Sequence, residues 1–175
     1  MKKISIVAGF ILVLATFGCA TSSTLTATAV MEARSGSDVS GTVTFEEIFE
    51  GTVRVRLDLT GVPEGVHGFH VHEFGNCDSD DGSSAGGHFN PVRSPHAGPH
   101  DSMQHAGDMG NVVAGSDGTI KTSMKLTSFT LSPGVTSVAG LAVILHADRD
   151  DLTTQPTGNA GGRIACGIIT LDQMK

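Results

Sequence analysis

The stretch Thr52–Leu59 (TVRVRLDL) alternates without a break: Val53, Val55, Leu57 and Leu59 share one face, and Arg54, Arg56 and Asp58 share the other. A period of two sustained over eight residues is that of a half-buried β-strand. Upstream, Val43 and Phe45 repeat the alternation, with Gly51 in the turn between the two segments, the pattern of a hairpin. Further strands are predicted at His67–His72, Thr119–Leu126, Leu141–His146 and Arg163–Leu171, and no segment holds a long helical period. The 23 glycines, spread among short apolar runs, supply turns. The expected fold class is all-β. At 175 residues and 39% apolar content the chain fits one domain with a sizeable core.

The N-terminus reads as a targeting segment. Lys2 and Lys3 precede an apolar run, Ile4–Phe17, that is too short and too weakly flanked for a membrane span; residues 1–19 therefore read as a signal peptide. Cys19 directly after Gly18 resembles the lipid-attachment site of bacterial lipoproteins, with Thr16 where those sites usually carry Leu. Ordinary cleavage near Ala20, discarding Cys19, is the alternative. Residues 20–38, rich in Thr, Ser and Ala, read as a tether, and residues 39–175 as the functional domain. The expected location is the periplasm or cell envelope, which permits disulfides. Losing Lys2 and Lys3 takes the formal charge from −7 to −9. So acidic a chain is a poor partner for nucleic acid, and it repels anions unless cations are focused at a site.

Two stretches resist strand assignment, Glu73–Met109 and Ala147–Gly162. Long irregular segments inside a compact domain are usually functional. Seven of the eight histidines fall in His67–His105, and the eighth, His146, adjoins the second stretch. His70 and His72, two apart on a strand, leave one face with Cα atoms about 7 Å apart, close enough to converge on one ion; alone, the pair reads equally well as two surface histidines. His88, His96, His105 and Asp108 share one Gly/Pro-rich loop. Three imidazoles and a carboxylate complete a closed tetrahedral zinc site. His146 ends the apolar run LAVIL and is placed to join His70 and His72 on a second ion, for which all-imidazole ligation suits copper. Copper then lacks a fourth nitrogen unless a loop histidine is shared.

Four segments carry a family resemblance. Gly68–His72 (GFHVH) and Gly158–Gly167 (GNAGGRIACG) are similar to the two signature segments of the Cu,Zn superoxide dismutases, and Gly86–Pro91 and His105–Asn111 are similar to segments between them. The resemblance spans Val43–Leu171 and points to the exported bacterial type. It implies an eight-stranded Greek-key β-barrel, related to immunoglobulin-like sandwiches. It implies one copper per subunit on His70, His72, His88 and His146, and one zinc on His88, His96, His105 and Asp108, with His88 as the shared imidazolate. Asp150 resembles the carboxylate tying a copper histidine to a zinc histidine, and Cys77–Cys166 the intrasubunit disulfide. The implied reaction disproportionates superoxide to oxygen and hydrogen peroxide in two steps. Arg163 beside the copper mouth attracts the anion, His88 relays a proton, and Arg149 is a weaker second cation.

Some features depart from the family pattern. Cys77 stands eleven residues before His88, which lengthens the loop between them, and the second stretch is shorter than in eukaryotic relatives. His100 lies outside the ligand pattern, and His67 is expected to support strand or loop packing. A copper-delivery module on the same fold is the competing reading. Such relatives typically lack copper ligands or the mouth arginine, and here every one is present. Gly140, Ile168 and Leu171 resemble positions that eukaryotic homodimers use.

Overall fold

A computed structural model describes residues 24–49 and 51–173. The strands are β1 (Thr26–Ala33), β2 (Ser40–Phe49), β3 (Thr52–Thr60), β4 (Gly65–His72), β5 (Asp108–Ala114), β6 (Ile120–Leu126), β7 (Ala142–His146), β8 (Arg163–Ile168) and the two-residue β9 (Thr170–Leu171). Neighbours run antiparallel in the order β5-β4-β7-β8-β1-β2-β3-β6, with β9 added to β1. The pairs β1–β8, β3–β6 and β4–β7 join strands distant in the chain. They wind the sheet into a nearly closed eight-stranded Greek-key barrel. Closure leaves few free strand edges.

The alternation of Thr52–Leu59 places Val53, Val55, Leu57 and Leu59 in the core. Each such side chain contributes ~1.5–3 kcal/mol of hydrophobic stabilisation. On the opposite face Glu46 of β2 pairs with Arg54 at 2.7 Å and Arg56 at 3.3 Å across β3. Phe45 and Phe129 meet edge-on inside the barrel, ring centres 6.3 Å apart.

Three boundaries differ from expectation. Residues 26–33 of the supposed tether form β1, with Ala27, Ala29 and Met31 fully buried. Its inward positions are mostly small, so the strand carries little hydrophobic signal. Asp108 and Met109, assigned to the first long loop, begin β5, where Gly110 and Asn111 interrupt any alternation. The single strand expected over Arg163–Leu171 is divided at buried Ile169: β8 lies between β7 and β1, and beyond Ile169 the chain leaves β7 and pairs with β1 alone. The two long stretches hold no further strand among the described residues. The first contains only a 3₁₀ turn at Ser83–Ala85 and a bridge between His72 and His88. The leader 1–19 with Cys19 lies outside the described residues.

One buried acid ties a connection to the barrel. Glu47 of β2 accepts hydrogen bonds from the Leu131 and Ser132 amides, at 3.0 and 2.7 Å, and from the Ser132 hydroxyl at 2.9 Å. Burial alone raises a carboxyl pKa, but these donors outweigh it and hold Glu47 below its ordinary value. A depressed pKa contributes stability that is present above the ordinary carboxylate range and is lost as pH falls. Glu47→Ala orphans the buried Leu131 amide and the half-buried Ser132 amide and is expected to cost about 1–3 kcal/mol in urea unfolding at neutral pH. The deficit should shrink below about pH 4; an unchanged midpoint would refute this anchoring role.

Candidate metal centre

β4 supplies the scaffold. Its residues from His67 to His72 are buried on both faces. Phe69 and Val71 enter the core, while His70 and His72 point outward and are covered by the loops. His146, at the end of neighbouring β7, joins them: the Nε2 atoms of His72 and His146 lie 3.3 Å apart. His88 stacks against His70 with ring centres 4.0 Å apart. His96 and His105 approach the other side of His88, at 5.3 and 5.5 Å between ring centres.

Two compact donor groups result, His70–His72–His88–His146 and His88–His96–His105–Asp108, all buried, with potential ligand atoms in each within 4.8 Å of one another. His88 belongs to both. The outer nitrogens of most rings are occupied. His70 Nε2 donates to Asp150 Oδ2 at 2.7 Å and His96 Nε2 to Asp150 Oδ1 at 2.9 Å. His72 Nδ1 donates to the Gly86 carbonyl at 3.0 Å and His146 Nδ1 to the Gly161 carbonyl at 3.3 Å. The inner nitrogens are left over: His70 Nδ1, His88 Nε2, His96 Nδ1 and His105 Nδ1 are buried without a hydrogen-bond partner. Buried polar atoms are rarely orphaned, and a set of them converging on two points is the signature of ligands awaiting cations. On the second side His88 Nδ1 lies 2.8 Å from Asp108 Oδ1, and His96 Nδ1 lies 3.0 Å from Asp108 Oδ2. The donor chemistry therefore fits an all-imidazole site beside a three-imidazole, one-carboxylate site.

Electrostatics divide the two groups. Burial, and then repulsion from neighbouring imidazoles, holds His72 and His146 far below the ordinary imidazole value, and burial holds His88 at about 4. These rings are neutral at pH 7 and ready to donate lone pairs. Burial also opposes charge on His96, but the carboxylates of Asp108 and Asp150 against its two ring nitrogens outweigh it and raise its pKa to about 9. Asp108 and Asp150 are themselves held well below the carboxylate range: burial is overcome by the adjacent rings of His105, His88 and His96 for Asp108, and of His70 and His96 for Asp150.

The remaining sequence-predicted residues fall as follows. Asp150 is fully buried and bridges the two groups through His70 and His96; its amide and carbonyl are fixed by Asn111 at 2.8 and 2.9 Å. Gly158, at φ 68, packs so close to Asp150 and His96 that any Cβ would collide with both. Arg163 opens β8, and its guanidinium donates to the carbonyls of Gly82 and Gly86, both at 2.6 Å. Gly86 thus accepts from Arg163 and from His72, which sets the cation beside the all-imidazole group. Cys77 and Cys166 form a disulfide; closing so long a loop contributes ~4–5 kcal/mol in the chain-entropy view. Arg149 and His100 are exposed. His67 is buried, its ring nitrogens facing the carbonyls of His146 and Pro63 at 2.9 and 2.8 Å.

Residues that sequence reasoning missed also shape the site. Gln155 clasps the His96 backbone, accepting from its amide and donating to its carbonyl, both at 2.8 Å. Nothing local in the sequence marks that contact.

In the metal-free protein, a raised His96 pKa contributes stability that is complete below about 6.5 and is lost as pH rises through about 9. The depressed carboxylates have the opposite sign and lose their contribution in acid. Thermal unfolding of metal-free protein should therefore show Tm declining between pH 6.5 and 9, and Asp150→Asn should flatten that decline. An identical slope in the variant would contradict the coupling.

Comparison with known proteins agrees with this chemistry. The profile of the Copper/zinc superoxide dismutase (SODC) family matches residues 39–169. Superoxide dismutase [Cu-Zn] 2 of Mesembryanthemum crystallinum is 43% identical over 150 residues, spanning 82% of this chain and 94% of the relative. A solved structure described as that of the clock protein EA4 superposes with a TM-score of 0.76 at 38% identity, covering 83% of this chain and 93% of that one. Two donor groups sharing one imidazole, on a Greek-key barrel matched over most of its length, make this chain a member of the copper/zinc superoxide dismutase family, with copper and zinc as its metals and the disproportionation of superoxide as its activity.

Proposed function

We propose that His70, His72, His88 and His146 hold the copper and that His88, His96, His105 and Asp108 hold the zinc, one of each per subunit, with His88 as the shared imidazolate. The observation that carries this division is the set of orphaned inner nitrogens. Their partners on one side are all imidazoles, a set that suits copper. On the other side a carboxylate closes a four-donor set that suits zinc. Copper so held supplies the one-electron acceptance and donation that convert superoxide to oxygen and hydrogen peroxide.

The chain's own residues do the rest. Asp150 fixes the tautomers of His70 and His96, so that Nδ1 of each faces its metal. Asp108 lies against Nδ1 of His88 and turns that nitrogen toward the second donor group, so that Nε2, facing the all-imidazole group, would be the atom that gives and takes a proton. Arg163, pinned by two carbonyls, presents a permanent positive charge beside His72 and focuses an anion onto the site against the net charge of the protein.

Outside the site, we read residues 1–19 as directing export to the periplasm or cell envelope, with Cys19 as the point of lipid attachment. The Cys77–Cys166 bond supports an oxidising compartment. A second copy of the chain is the proposed partner for the face bearing exposed Ile168, Leu171 and Val30. Mass spectrometry of the mature N-terminus decides the anchor: a diacylated Cys19 is expected, and an unmodified terminus at Ala20 would refute it.

The decisive substitution for guidance is Arg163→Glu. It is expected to keep both metals and to lose one to two orders of magnitude in superoxide turnover, within the ~10–10³ range of focusing effects. The wild-type rate should fall as salt rises, and the variant's should not. Full metal content with a wild-type rate and an unchanged salt response would make Arg163 a structural cation only.

A further inference from the structure

The turn joining β1 to β2 is tied to two other parts of the chain. The Arg34 side chain is 14% exposed, and its Nε and Nη2 both donate to the carbonyl of Cys77, at 2.9 and 2.6 Å. The Ser35 amide donates to the Asp80 carbonyl at 2.7 Å, and the Ser35 hydroxyl to the carbonyl of Arg163 at 2.9 Å. The Ile164 carbonyl accepts from the Arg34 amide at 2.9 Å and from the Ser37 hydroxyl at 2.5 Å. One turn therefore grips both the Cys77 end of the loop after β4 and the first residues of β8. That same loop delivers the Gly82 and Gly86 carbonyls to the Arg163 guanidinium. The loop is held at its Cys77 end twice, covalently through Cys166 and non-covalently through Arg34.

We propose that Arg34 is a positioning residue for Arg163: its double hydrogen bond to the Cys77 carbonyl anchors the loop, so that Gly82 and Gly86 stay on the Arg163 guanidinium even when the Cys77–Cys166 bond is open. Two bonds from a charged donor to one partly buried carbonyl shift a docking equilibrium by about tenfold to a hundredfold. A lysine offers a point charge in place of the two-pronged fork and replaces the clamp only in part. The inference rests on Arg163 guiding the anion, but the mobility of the loop can be read without that assumption.

The test compares five metal-loaded proteins: wild type, Arg34→Ala, Cys77→Ser/Cys166→Ser, these three changes combined, and Arg34→Lys in the disulfide-free protein. Serine removes the disulfide and leaves the backbone carbonyl that Arg34 grips. Amide exchange over residues 78–87 reads the loop, and the salt dependence of superoxide turnover reads Arg163. Each change alone is expected to raise exchange by less than about threefold and the combination by more than about tenfold, a non-additivity that marks two anchors on one element. The combined variant should also lose the salt dependence, and Arg34→Lys in the disulfide-free protein should restore part of both. Multiplicative, uncoupled effects would overturn the proposal; so would coupled exchange with an unchanged salt response, which would confine Arg34 to the loop. Should the combined variant fail to fold, oxidised Arg34→Ala is titrated with reduced and oxidised glutathione. Its disulfide is expected to open at a thiol ratio about tenfold milder than wild type, and an unchanged equilibrium overturns the proposal.

Discussion

A single imidazole shared by two donor groups constrains much of this protein. His88 presents Nδ1 to Asp108 on one side and Nε2 to the His70–His72–His146 cluster on the other. Neither face tolerates rotation of the ring, so its neighbours must be rigid. The fold meets this by mixing element types. Outward positions of β4 and the end of β7 give three histidines with strand precision, while the loop after β4 brings His88, His96 and His105 over them. Asp108, at the first residue of β5, returns the loop to the barrel. Hydrogen bonds to Asp150, Gly86 and Gly161 then orient the rings of His70, His96, His72 and His146.

Charge follows the same division. The all-imidazole cluster is deeply buried without a carboxylate of its own, and burial keeps His72 and His146 neutral. The neighbouring cluster contains Asp108 and leans on Asp150, so it bears the negative charge. Arg163 stands on the neutral side. A positive charge beside neutral rings is an arrangement that favours local attraction of an anion over global repulsion.

How much of this was legible in the sequence depended on the range of the interaction. TVRVRLDL declared its strand because one face is apolar along its whole length, and the two donor groups were legible because imidazoles and one carboxylate clustered in segments otherwise lacking periodicity. β1 was hidden because its inward residues Ala27 and Ala29 contribute burial without hydrophobic contrast, so Thr26–Ala33 passed for a tether. β5 was hidden by Gly110 and Asn111. The clasp of Gln155 on His96, and the grips of Glu47 on Ser132 and Arg34 on Cys77, join residues 59, 85 and 43 positions apart. Local patterning carries no information about such contacts. Asp150 came only from the family resemblance, because its pairings with His70 and His96 are long-range, whereas the cysteine count already set Cys77 and Cys166 apart from Cys19 as a pair.

The sharing of His88 is most directly tested by electron paramagnetic resonance of protein carrying copper(II) in the first cluster and cobalt(II) in place of zinc in the second. Two paramagnetic ions joined by one imidazolate couple through the ring. The account predicts that the copper signal, full in protein holding copper alone, is lost as cobalt fills the neighbouring site. A copper signal of undiminished intensity, with both ions bound in equal amount, would show that no ligand is shared and would contradict the account at its centre.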